Sequence, residues 1–142
     1  MSEFLDRGYN VAVPEVDVGD DIFVVRDSSG VFVRVQVKTS TATETRKGTA
    51  SRYSLRLSQL AQPTVPETWY ILVQRITDQW GDYLLISRQQ LYEYHDGDGL
   101  GSTNKRGYLN LYVKFEGGRA LCSGIDLSRH VNDWSEWPSI NH

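Results

Sequence analysis

Cysteine is almost absent from this sequence: Cys122 is the only one in 142 residues, which excludes an internal disulfide. Long apolar runs are missing as well. None approaches the roughly 18 to 20 residues that a membrane-spanning helix requires. The opening stretch MSEFLDRGYN lacks the basic and apolar regions of a secretory leader, so the expected location is the cytoplasm, with no membrane partner. The three histidines, His95, His130 and His142, are too dispersed to form a metal set. No G-x-S-x-G elbow offers a serine nucleophile. An excess of positive charge is lacking too. Fifteen Lys and Arg against eighteen Asp and Glu give a net charge of -3, which argues against coating nucleic acid by bulk charge.

At 39% hydrophobic and 23% charged residues, the composition is that of a globular protein, and the length suits one domain over residues 1–142. No repeat, low-complexity tract or linker divides it. The charge is unevenly placed. Residues 1–30 carry Glu3, Asp6, Glu15, Asp17, Asp20, Asp21 and Asp27 against Arg7 and Arg26, whereas residues 31–60 carry Arg34, Lys38, Arg46, Lys47, Arg52 and Arg56 against Glu44 alone. An acidic cluster directly before a basic one suits a site where carboxylates hold a cation and basic groups hold a polyanion.

Local patterns predict short helices among many strands. Ser2 to Arg7 reads as a helix capped by Ser2 and stopped at Gly8. Ile22 to Val25 is a continuous apolar run of the kind a buried strand shows, Asp27-Ser28-Ser29-Gly30 has turn chemistry, and Val31 to Lys38 returns as the second arm of a hairpin. Strands are expected again over Arg52 to Leu57, Trp69 to Ile76, Asp82 to Ile86, Tyr108 to Phe115 and Arg119 to Cys122. Helices are expected over residues 58–62 and Arg88 to Tyr94, and near Asp126 with Trp134 and Trp137 as anchors. Residues 95–107 read as a loop. The predicted class is α+β with an α/β-like core: a mixed sheet flanked by short helices.

In a strand, residues two apart share a face. Val31, Val33, Val35 and Val37 therefore point one way and Phe32, Arg34, Gln36 and Lys38 the other. Asp21 lies six positions before the turn and Gln36 six after it, so a tight hairpin brings Asp21, Gln36 and Lys38 toward one end.

The run Gly8-Tyr9-Asn10-Val11-Ala12-Val13-Pro14-Glu15-Val16-Asp17-Val18-Gly19-Asp20-Asp21, followed by Arg34-Val35-Gln36-Val37-Lys38-Thr39, resembles the core of the PD-(D/E)XK nuclease superfamily. The likeness is to the variant with glutamine in place of the second acid, seen in group I intron homing endonucleases and similar bacterial proteins. It covers residues 8–40, about a quarter of the chain. The resemblance implies a restriction-endonuclease-like sheet, with Asp21 as the metal-binding aspartate, Gln36 at the (D/E) position and Lys38 as the motif lysine. It further implies a glutamate from the first helix, for which Glu3 is the only carboxylate well placed. Glu15, after Pro14, is an alternative to Asp21, and Asp17 a further candidate ligand.

Chemistry gives these residue types an independent reason. Hydrolysis of a phosphodiester needs a nucleophilic water, stabilisation of charge on phosphate oxygens and help for the leaving alkoxide. Mg²⁺, or Mn²⁺ in its place, takes oxygen ligands, here the Asp21 carboxylate, the Gln36 amide and the Val37 carbonyl, while keeping several waters. Lys38 would orient or deprotonate the water and offset phosphate charge. The loop after the catalytic strand supplies Arg46 and Lys47, and then Arg52, as expected contacts to DNA phosphates. The expected activity is thus a metal-dependent DNA endonuclease, alone, as a homodimer or within a larger protein. The alternative is a catalytically inactive copy of the fold that binds nucleic acid or protein. The Asp96-Gly97-Asp98-Gly99 stretch is not a calcium loop, because Gly107 stands where the bidentate glutamate belongs.

Overall fold

A computed structural model describes residues 2–12, 22–26 and 31–137. The fold is α+β, built on two sheets with short helices around them. Helix α1 (Ser2–Asp6) leads into β1 (Asn10–Ala12), β2 (Ile22–Arg26) and β3 (Val31–Thr41). These are followed by β4 (Thr43–Glu44), β5 (Thr49–Arg56), α2 (Leu57–Ala61), β6 (Thr68–Ile76) and β7 (Gln79–Ser87). Helix α3 (Arg88–Asp98), β8 (Ser102–Thr103), β9 (Tyr108–Glu116), β10 (Arg119–Cys122), β11 (Ile125–Asp126) and a 3₁₀ turn at Ser128–His130 complete the described chain. Among the described residues no helix is long and apolar enough to cross a membrane.

The first sheet has the order β1-β2-β3-β6-β7 and is mixed. Strand β3 is antiparallel to β2, with Ile22 opposite Val35, and parallel to β6, with Gln36 opposite Tyr70. A parallel neighbour requires a long crossover, and β4, β5 and α2 supply it. The second sheet, β11-β10-β9-β5-β4 with β8 beside β9, is antiparallel throughout.

Period-two alternation sorts each strand's side chains into two cores. On one face of the first sheet, Ile22, Val24, Val33, Val35, Ile71 and Leu85 are buried against Phe4 of α1 and Trp137 of the tail. Phe4, Trp134 and Trp137 meet with ring centroids 5.3 to 5.4 Å apart, a geometry that adds to simple area burial. On the other face, Tyr70, Leu72, Leu84 and Ile86 pack against Leu55, Leu109, Leu111 and Val113 of the second sheet. The second core is the larger one.

Three local expectations change in the folded chain. Residues 95–98 are helical rather than part of a loop. The Ser87 hydroxyl accepts from the Gln90 amide and the Gln90 side chain accepts from the Ser87 amide, both at 3.1 Å, and this capping box carries α3 through to a left-handed stop at Gly99 (φ 75°). The helix expected near Asp126 is one 3₁₀ turn, because Asp126 is held in β11 by pairing with Leu121, and its carboxylate accepts from the Ser128 amide at 2.9 Å. Strands β4, β5 and β8 to β11 form a second sheet of their own, where a single mixed sheet was expected. The expected turn at residues 27–30, like residues 13–21, lies outside the described residues.

Candidate functional site

The site is built from the polar face of β3. Gln36, Lys38 and Ser40 alternate along that strand and look toward the second sheet, because the odd-numbered valines are taken by the other core. Under β6 and β7 this inter-sheet space is filled by Tyr70, Leu72, Leu84 and Ile86, but under β3 it is polar. The site is where one apolar core ends.

Gln36 is 5% exposed, and its Nε2 donates to Oε1 of Gln59 on α2 at 3.4 Å. Its own Oε1 is buried and has no hydrogen-bond partner among the described residues. Two positions along, Lys38 is half-buried. Further toward the end of the strand, the Ser40 hydroxyl accepts from the Arg52 amide of β5 at 3.1 Å. Beside it, Thr49 of β5 donates to the Gln74 side chain at 2.8 Å. Strand β5 also sends Ser51 and Tyr53 into the inter-sheet space, 1% and 3% exposed. Burial pushes the Tyr53 phenol well above its ordinary pKa, and the neighbouring Ser51 hydroxyl offsets part of that rise. Neither hydroxyl makes a well-formed hydrogen bond among the described residues. A buried polar atom without a partner costs roughly 1 to 3 kcal/mol, so Gln36, Ser51 and Tyr53 together mark a costly polar patch.

The opposite end of this face is open. Phe32 is 41% exposed, Phe23 and Phe32 meet edge to face at 5.9 Å, and the Arg34 guanidinium lies 5.9 Å from the Phe23 ring centroid. An open apolar ledge with a cation thus borders the covered polar patch.

Of the residues expected from sequence, the structure brings Gln36 and Lys38 to one face of one strand. Asp21, Glu15 and Asp17 lie outside the described residues. Chain connectivity still puts Asp21 immediately before Ile22, and Ile22 pairs with Val35, the neighbour of Gln36. Glu3 is not brought to the site. It lines a groove of about 350 Å³ on the opposite face of the sheet, with Val37, Thr39, Tyr83 and Trp134, and it pairs with Arg7 at 3.5 Å. Its helix is held there by Phe4 against the tail tryptophans, so Glu3 belongs to the valine face. The Val37 side chain faces that same groove, which leaves only its main-chain carbonyl for the role expected of it. Among the described residues no group of three or more His, Cys, Asp and Glu side chains is placed to hold a metal ion.

Arg46 and Lys47 are exposed in the turn between β4 and β5. That turn is held by the Thr45 amide donating to the Gly48 carbonyl at 2.9 Å. Arg52 is on the outer face of β5, its guanidinium 4.7 Å from the Tyr112 ring centroid. Sequence reasoning missed Gln59 as the partner of Gln36, and Ser51 and Tyr53 as buried polar groups of the inter-sheet space. Alternation marks Tyr53 as inward-facing, but nothing in the sequence tells which strand it meets.

Compared with known protein families, curated proteins and solved structures, the chain has no significant match.

Proposed function

We propose that the chain is a metal-dependent endonuclease acting on DNA, with Gln36 and Lys38 at its centre and Asp21 completing the cation site. The observation that carries this reading is the buried Gln36 amide oxygen, which has no partner among the described residues, on the same strand face as Lys38. An oxygen desolvated and unpaired suits a hard cation, which takes oxygen ligands. When bound, Mg²⁺ or Mn²⁺ would supply charge stabilisation at the phosphate oxygens. Asp21 and Gln36 would hold it, with the Val37 carbonyl as a third donor. Lys38 would orient the attacking water and offset phosphate charge. With one carboxylate and one neutral amide, the reading asks for a single cation that binds strongly only when DNA phosphate joins the set.

A second reading has observations of its own. Gln36 spends its amide nitrogen on Gln59, and Glu3 is on the far face of the sheet. Both fit a catalytically silent copy of the fold that binds nucleic acid.

Incubating supercoiled plasmid with the purified protein and Mg²⁺ or Mn²⁺ separates the two. The nuclease nicks the plasmid, and Lys38→Ala abolishes nicking at unchanged thermal stability. Wild-type protein that leaves every DNA form intact with either cation favours the silent copy.

A further inference from the structure

The outer face of the second sheet is a different surface from the polar patch, and it has its own chemistry. Strands β5 and β9 set three consecutive pairs across it: Arg52 opposite Tyr112, Ser54 opposite Asn110, and Arg56 opposite Tyr108. The guanidinium of Arg52 is 4.7 Å from the Tyr112 ring centroid and that of Arg56 is 5.8 Å from Tyr108. Between them, Ser54 Oγ donates to Asn110 Oδ1 at 2.6 Å. Lys114 extends the exposed row beyond Tyr112. At the other end a hollow of about 430 Å³ opens between Arg56, Ser58, Arg106 and Tyr108.

Charge separates this face from the rest of the molecule. Residues 49–57 and 102–116, which hold β5, β8, β9 and the turn before β9, contain five basic residues and one acid, Glu116, which stands at the far end of β9 opposite Arg119 of β10. The other seventeen acidic residues of the chain lie elsewhere. Cross-strand Arg–Tyr pairs alone would be accounted for by sheet stability. A row of cations with a single acid at its end, in a chain with more acidic than basic residues, is not.

We infer that this face is a platform for single-stranded DNA. Arg52, Arg56, Arg106 and Lys114 hold successive phosphates, while bases stack on the Tyr108 and Tyr112 rings and on the guanidinium planes. Four residues of strand separate the two tyrosines, on the order of 13 Å at about 3.3 Å per residue, so a single chain of nucleotides laid along β9 meets both. A duplex cannot use the rings, because its bases are already stacked on one another. The exposed half of the Asn110 amide lies between the stacking positions and can meet base edges. The choice of DNA over RNA rests on the nuclease reading, but the platform does not: it lies on the far side of the second sheet from Gln36 and Lys38.

Fluorescence anisotropy with a labelled oligo-dT of about 20 nucleotides tests it, longer than the roughly 4 to 16 that comparable β platforms cover. The measurements are made in EDTA at three salt concentrations. The expected result is binding that prefers the single strand to a duplex of equal length. Tyr108→Leu with Tyr112→Leu weakens it at least tenfold, with the fold checked by thermal melting. Arg52→Gln with Arg56→Gln flattens the dependence of log affinity on log salt by about 1.4, at roughly 0.7 per phosphate contact. No binding to oligo-dT, or binding that both double variants leave intact, overturns the platform. Equal affinity for the duplex overturns the stacking, and tighter binding of oligo-rU overturns the assignment to DNA. Because no metal is present, a protein that never nicks plasmid can still bind, and one that nicks can still fail to bind.

Discussion

The main-chain amide of Arg52 donates to the Ser40 hydroxyl at 3.1 Å, joining the strand that carries Gln36 and Lys38 to the strand whose outer face carries Arg52 and Arg56. One side of β5 pairs with β9 over its whole length, while β4 covers only Thr49 and Ala50 on the other side. The Arg52 amide is thus left for β3 to satisfy. The consequence is geometric. The two sheets meet at the end of β3, and the candidate catalytic face and the basic outer face lie on the two sides of β5.

Replacing Gln36 by Leu should raise stability and remove activity. The substitution deletes a buried amide oxygen that has no partner among the described residues, and Gln59, half-buried, can turn its amide to water. The expected gain is about 1 kcal/mol in chemical denaturation, together with loss of metal-dependent nicking. A stability loss of several kcal/mol would mean that the amide is fully satisfied in solution and that its oxygen is not reserved for a cation.

Arg88 is 6% exposed at the start of α3, where Nη1 donates to the Leu60 carbonyl of α2 and Nε donates to Glu67 at 2.8 Å. This one side chain fixes α2, the approach to β6 and α3 relative to one another. Glu67→Gln strands a buried cation, and its cost should be near 3 kcal/mol, the low end for a broken buried pair, because Glu67 is 30% exposed and water can enter. Arg88→Met with Glu67→Leu should recover most of that loss, and the comparison of the two denaturation curves decides it.

His130 gives the fold a pH dependence of known sign. It is 2% exposed, its ring meets Tyr94 edge to face at 5.8 Å, and its Nε2 lies 3.1 Å from the Tyr94 hydroxyl. Burial, and then the charge of Arg129, hold its pKa below the ordinary 6.5, against a smaller opposing pull from Glu136 and Asp133. The unfolded chain therefore takes up a proton at a pH where the folded chain does not. The stability of the neutral ring is fully present above pH 6.5 and is lost as pH falls through that value toward the folded pKa. The midpoint of thermal unfolding should drop between about pH 7 and pH 5, and His130→Gln should lose that component of the slope. Parallel curves for the two proteins over that range would refute it.

Much of the strand content was legible in the sequence. Tyr108 to Phe115 and Val31 to Lys38 alternate strictly, and a strand with one buried face must alternate, so both were readable and Gln36 and Lys38 were placed on one face correctly. Residues 95–98 were misread, because Gly97, Gly99 and two aspartates look like loop chemistry. The capping box at Ser87 had already committed the chain to a helix that Gly99 ends.

The sequence by itself determined which side chains of each strand turn inward and that the basic residues crowd into residues 31–60. Alternation is local, and a residue's face follows from its immediate neighbours. What covers each face is not local. That Glu3 shares the valine face was decided by Phe4 meeting Trp134 and Trp137 from the other end of the chain. That Gln59 meets Gln36, and that the outer faces of β5 and β9 align into one basic row, were decided by pairings between segments tens of residues apart. Periodicity carries no record of partner choice; it is settled by which buried faces fit together once the chain has closed.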